Sequence, residues 1–333
     1  MLILNAADLR AALPMMDAIP AVRWAYAAFS AGTAVMPPRL HLAIPGTDAV
    51  SLCMPAFLPD APDAPVPAAL IVKAVSVFPA NASLGLKTVQ GAALVLDPAT
   101  GECLALLDGA ELTAIRTGAG SGVATDLLAR PDACTLAIIG TGAQALTQVQ
   151  GVCAVRPIQQ IRIFGRDRIR AERFAARLAK LSYAHFAIWI AGSVGEALRD
   201  ADIVCTATTA SEALFKDTDL KPGAHINAVG AFRPDMWEVP AAAVLRSRLF
   251  VDSRAAALKE AGDIVQAIEE GVIGPGHITG EIGELIDGRV EGRRSADEVT
   301  LFKSVGMAVQ DAASAAVALA NAQARGIGQR VSW

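Results

Sequence analysis

The sequence has 333 residues, of which 53% are hydrophobic and 19% charged, and its formal net charge is −4 at pH 7. This length favours two domains over one, and the hydrophobic content is well above that of disordered chains. The chain has no cluster of basic and aromatic residues, which argues against a nucleic-acid partner. It also has no run of about 18 uncharged apolar residues, which argues against a membrane span.

The cysteines and histidines bear on location and metal binding. Five cysteines are scattered without a Cys-x-x-Cys pair, and the four histidines lack the spacing of metal ligands. We therefore expect reduced thiols in a cytoplasmic protein, and no metal site.

The first third of the chain predicts a mixture of helices and strands. The first helix is amphipathic, and the first strand is apolar apart from Lys73. An Asp-Pro-Ala-Thr-Gly turn joins the next two strands. The predicted elements are a helix over residues 15–30, strands over 70–78, 91–96 and 103–107, and a helix over 111–129.

From about residue 135, short apolar segments alternate with helical ones. This alternation predicts an α/β fold with a parallel, doubly wound sheet. A last long helix, over residues 300–322, lies outside the alternation and is expected to return to the first domain. The candidate strands are residues 135–139, 160–164, 186–190, 202–206, 225–229 and 249–252.

A glycine-rich turn follows the first of these strands, with the sequence Gly140-Thr141-Gly142-Ala143-Gln144-Ala145. The first glycine permits a tight turn, the second lets a phosphate approach the backbone, and the helix that follows presents unpaired N–H groups. A second strand follows about one helix later. We therefore interpret the segment as a dinucleotide-binding βαβ unit rather than a strand–turn–helix that merely packs.

Three basic residues are candidates for binding a substrate. A lysine such as Lys73 is costly to bury without a purpose, so it either faces a substrate, holding its carboxylate or supplying a proton, or points to solvent from an edge strand. Arg116, which small residues follow, and Arg39, which follows two prolines, are either carboxylate clamps or ordinary surface arginines.

The end of the second strand of the βαβ unit bears on the choice of cofactor. NAD sites usually place an acid there for the ribose hydroxyls, whereas an arginine suits the additional phosphate of NADP. This chain has Gly165, Arg166 and Asp167 in succession. The glycine–arginine pair favours NADP(H), and a shift of one or two residues would let Asp167 serve NAD(H). Arg166 and Arg168 are alternatively a solvated charge cluster at a helix start.

Two later strands end in residues suited to line a ligand crevice. Residues 224–230 run into a glycine, and the loop over 231–235 is placed to cover a nicotinamide. Residues 205–209 end in threonines in the same way. His225 is interpreted as a packed strand residue rather than a proton donor.

These segments together resemble the ornithine cyclodeaminase/mu-crystallin family. They follow the family's order across nearly the whole chain, and the run Lys-Pro-Gly-Ala-His-Ile-Asn-Ala-Val-Gly is the most specific. The matching segments are Lys73 in its strand and residues 114–117, 140–145, 221–230, 251–253 and 302–308.

The resemblance implies a Rossmann domain, over residues 119–304, and a smaller α+β domain built from residues 1–118 and 305–333. The smaller domain would bind the substrate and form a homodimer. The implied substrate positions are Arg39, Lys73, Arg116 and Phe232, with Lys73 the catalytic residue. The implied dinucleotide positions are Thr88, Thr117, Gly140, Thr141, Gly142, Ala143, Gln144, Gly165, Arg166, Asp167, Thr206, Val229, Gly230 and Ser304.

One position departs from the ornithine cyclodeaminases. They resemble one another in placing an aspartate two residues after the Val-Gly pair, to handle the substrate amine, and this chain has Phe232 there. The Gly165–Arg166 pair also resembles the NADPH-using branch. The resemblance therefore implies reduction of cyclic ketimines, of Δ1-pyrroline-2-carboxylate to L-proline and of Δ1-piperideine-2-carboxylate to L-pipecolate. NADPH is favoured as the cofactor, and NADH stays open.

Two other functions stay open on the sequence alone. One is ornithine cyclodeamination, or amino-acid dehydrogenation of the alanine dehydrogenase type, on the same fold. Both reactions would use an acid near the substrate amine. Phe232 removes that acid, and Asp235 would supply one only if its loop folded back. A non-enzymatic, NADPH-dependent small-ligand binding protein of the mu-crystallin type would keep the cofactor site while its substrate-facing charges were free to change. Retention of Lys73 and Arg116 favours catalysis.

Overall fold

The computed structural model describes residues 1–62, 64–181 and 185–332. They form two compact units. Unit 1 comprises Met1–Arg116 and Met307–Trp333, and unit 2 comprises Thr117–Gly306. Unit 1 is therefore made of two separate stretches of chain, whereas unit 2 is continuous.

Strands and helices follow one another along the whole chain. The strands in the described residues are β1 (Leu2–Leu4), β2 (Leu40–Ala43), β3 (Val50–Leu58), β4 (Ala69–Val77), β5 (Val89–Leu96), β6 (Cys103–Asp108), β7 (Thr135–Ile139), β8 (Gln160–Phe164), β9 (Ala187–Ile190), β10 (Ile203–Thr206), β11 (His225–Ala228), β12 (Arg248–Val251), β13 (Ile278–Glu281), β14 (Thr300–Lys303) and β15 (Gln329–Arg330). The α-helices are α1 (Ala6–Ala12), α2 (Met15–Ser30), α3 (Gly109–Leu128), α4 (Ala145–Val155), α5 (Arg168–Leu178), α6 (Val194–Leu198), α7 (Ala241–Arg246), α8 (Arg254–Glu260), α9 (Gly262–Glu269), α10 (Ile282–Ile286) and α11 (Ala308–Arg325).

Unit 1 contains a seven-stranded sheet in the order β15-β1-β6-β5-β4-β3-β2. The strands from β2 to β6 are antiparallel neighbours. Because side chains alternate along a strand, Ile71, Lys73 and Val75 share one face of β4, where all three are buried and α11 packs. Lys73 thus lies in an interior strand, and the alternative of an edge-strand lysine pointing to solvent is wrong.

Unit 2 is built on an eight-stranded sheet in the order β13-β12-β14-β11-β10-β7-β8-β9, with all neighbours parallel. Along β7, Leu136 and Ile138 pack into one apolar core, and Ala137 and Ile139 pack into a second one. Both faces of the strand are therefore covered, which explains its wholly apolar centre. The predicted doubly wound parallel sheet, with a smaller α+β unit from both chain ends, is confirmed.

The strand order reverses between β7 and β10. From β7 the chain adds β8 and β9 on one side, and then β10 and β11 on the other. Ligands of open α/β sheets bind at the carboxyl ends of the strands at such a reversal. The glycine-rich turn after β7 and the threonines after β10 lie at this point of unit 2.

The elements that were predicted correspond closely to observed ones, except over residues 300–322. The predicted helix over Met15–Ser30 is α2, and the predicted strands over 135–139 and 160–164 are β7 and β8. The prediction of one helix over residues 300–322 is wrong, because Thr300–Lys303 forms β14, a fully buried strand between β11 and β12. Gly306, with a φ of +82°, turns the chain before α11 begins at Ala308. Strands β1, β2, β3, β13 and β15 were also not predicted.

Three features bear on the class of protein. Within the described ranges, no helix has the length and hydropathy to cross a membrane. Over the same residues, no three His, Cys, Asp or Glu side chains converge as metal ligands would. All five cysteines fall in the described ranges and are free thiols.

Candidate active site

Lys73 is fully buried in unit 1. Its Nζ donates to Oδ2 of Asp311 on α11 over 2.5 Å and to Oγ1 of Thr113 on α3 over 3.2 Å. Burial lowers the pKa of Lys73 from 10.5 to about 7, against the opposing effect of the Asp311 carboxylate. Near neutral pH this amine is therefore able both to carry a proton and to release it.

Arg116 on α3 is also buried. Its Nε donates to Oδ1 of Asp311 over 3.1 Å, and its Nη1 donates to Oε1 of Gln310 over 3.2 Å. Gln310 in turn donates through Nε2 to the hydroxyl of Tyr26 over 2.8 Å. The guanidinium is thus fixed through two nitrogens, while Nη2 has no hydrogen-bond partner among the described residues. A carboxylate is a suitable ligand for a guanidinium held in this way.

Asp311 bridges the two buried cations. One carboxylate oxygen faces Lys73 and the other faces Arg116. Arg39, half-buried just before β2, is a third cation, close enough to lower the pKa of Lys73. When Lys73 is protonated, the two buried cations, Lys73 and Arg116, outnumber the carboxylate of Asp311. Because excess buried charge is costly, an anionic ligand would stabilise the cluster.

The glycine-rich turn of unit 2 lies between β7 and α4. Gly140 has a φ of +103°, and a Cβ there would lie 2.5 Å from the carbonyl oxygen of Ala207, so this position requires glycine. At Gly142 nothing lies within 4 Å of where a Cβ would be. No side chain caps α4, and the Oε1 of Gln144 is buried without a hydrogen-bond partner in the described chain. An open glycine beside an uncapped helix N-terminus fits the pyrophosphate of a dinucleotide.

The predicted cofactor-selecting residues lie between β8 and α5. A Cβ on Gly165 would lie 3.1 Å from Oγ1 of Thr141, so the two residues face each other across the turn. Asp167 is the N-cap of α5: its carboxylate accepts from the backbone N–H of Arg170 over 3.1 Å and lies 3.2 Å from Nε of that arginine. Arg166 is exposed. The acid of this segment therefore has a structural role, while the preceding arginine faces solvent.

Glu238 joins the carboxyl ends of β10 and β11. This fully buried side chain accepts hydrogen bonds from Oγ1 of Thr206 over 2.9 Å and from the backbone N–H groups of Thr208 over 2.7 Å and Gly230 over 2.8 Å. The N–H of Val229 donates to the carbonyl of Thr206 over 3.0 Å. Burial raises the pKa of Glu238. The predicted residues at these two strand ends are thus brought together around a carboxylate that the sequence analysis missed.

The remaining predicted dinucleotide positions are spread along the chain. The hydroxyl of Ser304 donates to Oδ2 of Asp252 over 2.8 Å, and the same oxygen accepts from the N–H of Gly306 over 2.7 Å, so this serine already has a structural partner. Thr117 is buried at the start of unit 2. Thr88 lies in unit 1, just before β5, whereas all the other predicted dinucleotide positions lie in unit 2.

Phe232 follows β11 and is half-buried. Asp235, in the same loop, is paired with Arg233, whose Nε donates to Oδ1 over 3.0 Å and whose Nη2 donates to Oδ2 over 2.7 Å. This carboxylate is exposed and committed to its own loop. In this arrangement of the loop, the carboxylate of Asp235 is held by Arg233.

His225 is a packed residue, as predicted. Its Nδ1 lies 2.9 Å from Oγ1 of Thr300, and its Nε2 lies 3.2 Å from Oδ1 of Asn227. Burial lowers the pKa of His225 to about 3, so the ring is neutral at physiological pH.

Three residues that organise these clusters were not predicted from the sequence. Gln310 and Asp311 form a polar pair in a helix composed largely of alanine, and Glu238 is an acid among apolar residues. A polar residue in such a setting is expected to have a buried partner. That signal was present in the sequence, although it does not identify the partner.

The chain is similar to known proteins over its whole length. The profile of the Ornithine cyclodeaminase/mu-crystallin family matches residues 1–326. A Delta(1)-pyrroline-2-carboxylate reductase of Bacillus cereus is 39% identical over 338 residues, which cover 100% of both chains. The structure of Thermococcus litoralis Delta(1)-pyrroline-2-carboxylate reductase in complex with NADH and L-proline is 39% identical, with a TM-score of 0.93 over 99% of this chain and 100% of that one. An archaeal alanine dehydrogenase dimer with bound NAD is 30% identical, with a TM-score of 0.90 over 100% of this chain and 99% of that one.

Proposed function

The chain belongs to the ornithine cyclodeaminase/mu-crystallin family, and from this premise we propose that it reduces cyclic ketimines with a nicotinamide dinucleotide. The proposed substrates are Δ1-pyrroline-2-carboxylate, which gives L-proline, and Δ1-piperideine-2-carboxylate, which gives L-pipecolate. The similarity to a reductase in complex with NADH and L-proline supports this assignment. The observation in this chain that carries it is the pair of buried cations, Lys73 and Arg116, that share one carboxylate.

Arg116 is the proposed carboxylate clamp. Asp311 and Gln310 fix its Nε and Nη1, which leaves Nη2 to bind a substrate carboxylate. Arg39 adds a second positive charge near Lys73. A fixed carboxylate also fixes the orientation of the small ring attached to it, and such positioning is a large share of catalysis for a transfer step.

Lys73 is the proposed proton donor. A C=N bond accepts a hydride readily once its nitrogen is protonated, and an amine whose pKa is about 7 is suited to deliver that proton at neutral pH. The N–H bond of the ammonium breaks, an N–H bond forms on the ring nitrogen, and Lys73 then recovers a proton from water. A nicotinamide dinucleotide, when bound, would supply the hydride for the ring carbon.

The proposed cofactor site is in unit 2, on the turn from Gly140 to Ala145 and on the strand ends that Glu238 holds together. NADPH is the preferred cofactor in this proposal, and NADH is usable. The support is that Arg166 is exposed beside the turn, while Asp167 is engaged as a helix cap. An arginine in this place suits the additional phosphate of NADP.

A cyclodeaminase is the weaker candidate. It would need an acid near the substrate amine, but Phe232 occupies that position and the nearest acid of the loop, Asp235, is paired with Arg233. An apolar ring at position 232 instead suits the apolar edge of a cyclic imine.

The proposal includes a homodimer formed through unit 1, in the cytoplasm. All four residues of the edge strand β2 are exposed, and Leu40 and Leu42 are more than half exposed. An apolar edge strand is a template for pairing with another chain. The similar alanine dehydrogenase dimer supports the assembly, and five free thiols suit a reducing compartment. Light scattering of the purified protein tests the dimer.

The first experiment is an assay with purified protein. Oxidation of NADPH or NADH is followed by absorbance with each cyclic ketimine, and a parallel reaction with L-ornithine and NAD⁺ is assayed for ammonia. We expect oxidation in the first reaction, with proline or pipecolate as product, and no ammonia in the second. Ammonia release would contradict the interpretation of Phe232.

Lys73→Met is the matched variant. It should abolish turnover and leave NADPH binding unchanged, because Lys73 belongs to unit 1 and the proposed dinucleotide turn belongs to unit 2. Binding of NADPH by the wild-type protein without turnover of either imine would overturn the reductase and favour a binding protein.

A further inference from the structure

Asp311 occupies an unusual position for an acid. Its side chain is fully buried, and it forms ion pairs with two cations that lie far away in sequence, Lys73 and Arg116. Each carboxylate oxygen serves one of them, Oδ2 at 2.5 Å from Nζ of Lys73 and Oδ1 at 3.1 Å from Nε of Arg116. A single rigid group therefore sets the separation of the two residues that the proposed reaction uses.

We propose that Asp311 is a positioning residue, whose carboxylate orients the ammonium of Lys73 and the guanidinium of Arg116. In these orientations Lys73 delivers a proton to the imine, and Arg116 holds the carboxylate of the substrate. This inference rests on the proposed reductase function. Asp311 would not touch the substrate itself, since Lys73 and Arg116 take up its two oxygens.

Helix α11 supplies the rigidity that such a role requires. Gln310, the residue before Asp311, holds the second nitrogen of Arg116, and its Oε1 also accepts from the backbone N–H of Met307 over 2.8 Å. The hydroxyl of Tyr26 accepts from the other end of the same side chain. The guanidinium is thus held by two neighbouring residues of one helix, and a rotation of either side chain would misdirect it.

The charge of Asp311 matters as well as its shape. The charged groups that act on Lys73 are Asp311 from α11, Arg116 from α3 and Arg39 from the segment before β2. Burial and the two arginines lower the pKa of Lys73, whereas Asp311 raises it. Without this carboxylate, the pKa of Lys73 would be lower, so the amine would be mostly neutral at pH 7.

Two substitutions separate charge from shape. Asp311→Asn keeps the size of the side chain but removes the charge and replaces one acceptor oxygen with a donor that would face a cation. Asp311→Glu keeps the charge and moves it by one methylene. Two matched controls come from unit 1: Asp17→Asn makes the same chemical change at an exposed acid of α2, and Ser314→Ala alters α11 at a buried hydroxyl without a partner among the described residues.

The test in activity is the pH profile of kcat/KM for Δ1-pyrroline-2-carboxylate with NADPH. We expect Asp311→Asn to lower kcat/KM about 100-fold, and to move the fall of kcat/KM at high pH downwards by about one unit or more. Asp311→Glu should keep the position of that fall and lose only about tenfold, because the charge remains but the aim changes. Both controls should follow the wild type. An unmoved profile for Asp311→Asn, with kcat/KM within about threefold of the wild type, would overturn the proposal.

A second measurement does not depend on turnover. Lysine labelled with ¹³C at Cε is titrated by NMR, and the Lys73 signal is assigned by its loss in Lys73→Met. Its midpoint should fall in Asp311→Asn and stay unchanged in Ser314→Ala. If the wild type reduces neither ketimine while the midpoint falls, the reductase function fails and the action of Asp311 on Lys73 stands. If the wild type turns over but the midpoint does not move, the Asp311 proposal fails and the function stands.

Asp311→Glu carries the test if Asp311→Asn does not fold. We expect a raised KM for the imine, because Arg116 is displaced, together with a Lys73 midpoint close to that of the wild type. Wild-type kcat and KM in this variant would overturn the positioning role.

Discussion

The backbone of Gly151 on α4 lies directly against that of Gly118 on α3. A Cβ added to Gly151 would overlap the carbonyl group of Gly118, and one added to Gly118 would overlap the carbonyl group of Thr147. Within unit 2, α4 and the part of α3 that follows Arg116 therefore pack at a distance that only glycine allows. α4 is the helix whose N-terminus follows the glycine-rich turn, so this contact also fixes the proposed pyrophosphate site.

Gly151→Ala should destabilise unit 2 by about 2–3 kcal/mol, because the added methyl group meets backbone atoms that cannot move aside as a side chain can. The measurement is the thermal midpoint of unfolding. Gly276→Ala is the control, since nothing lies within 4 Å of a Cβ at that position of the same unit. Equal midpoints for the two variants would show that the helices can separate at little cost.

The buried ring of His225 makes the stability of unit 2 depend on pH. Its pKa is lowered to about 3 in the folded protein, whereas the unfolded chain has the ordinary value of 6.5. Between these values the unfolded state binds more protons, so stability is full above pH 6.5 and is lost as the pH falls towards 3. We expect about 2 kcal/mol to be lost from this group between pH 7 and pH 5. Urea unfolding of the wild type and of His225→Gln at both pH values measures this loss. Between pH 7 and pH 5, the free energy of unfolding of the variant should fall by about 2 kcal/mol less than that of the wild type.

Phe232→Asp should lower kcat/KM for Δ1-pyrroline-2-carboxylate at least about tenfold, because it replaces an apolar surface with a carboxylate that must be kept hydrated. The same variant should be assayed for ammonia release from L-ornithine, since it restores the acid typical of the cyclodeaminases. Asp235→Asn is the control: that acid is exposed and bound to Arg233, so its loss should leave the reduction unchanged. Full activity of Phe232→Asp would remove this residue from the substrate site.

Arg166→Gln tests the choice of cofactor. We expect the KM for NADPH to rise about 10- to 100-fold while the KM for NADH stays the same, because only NADPH carries the phosphate that a guanidinium would bind. Arg168→Gln is the matched control, since Arg168 is paired with Glu172 at 3.2 Å. A parallel rise for both cofactors would show that Arg166 acts on a part that the two share.

The dinucleotide unit was largely predictable from the sequence, since its signals are local. The apolar centre of β7 and the glycines after it act within a few residues of one another. β14 was missed because the pairing that makes it a strand is not local in sequence. Thr300–Lys303 is too short to show a period, and it becomes a strand because β11 and β12 pair with it from both sides.

The organisation of the cation cluster was not predictable. Lys73 and Arg116 were identified because each is conspicuous in its own segment. Their shared partner, Asp311, lies 238 residues after one and 195 after the other, so nothing local connects them. Glu238 was not predicted for the same reason, because its hydrogen-bond partners lie at two strand ends that only the folded sheet brings together.

The division of unit 1 into two stretches has a consequence for synthesis on the ribosome. Unit 2 is one uninterrupted stretch and can fold while translation continues, but α11 is made after it. Until then β4 has no helix over its buried face, and Lys73 and Arg116 must stay hydrated because the acid that neutralises them does not yet exist. The proposed catalytic cluster is therefore completed after unit 2 has been made. A chain that ends before Asp311 contains the proposed dinucleotide site of unit 2 but lacks the acid that joins Lys73 and Arg116.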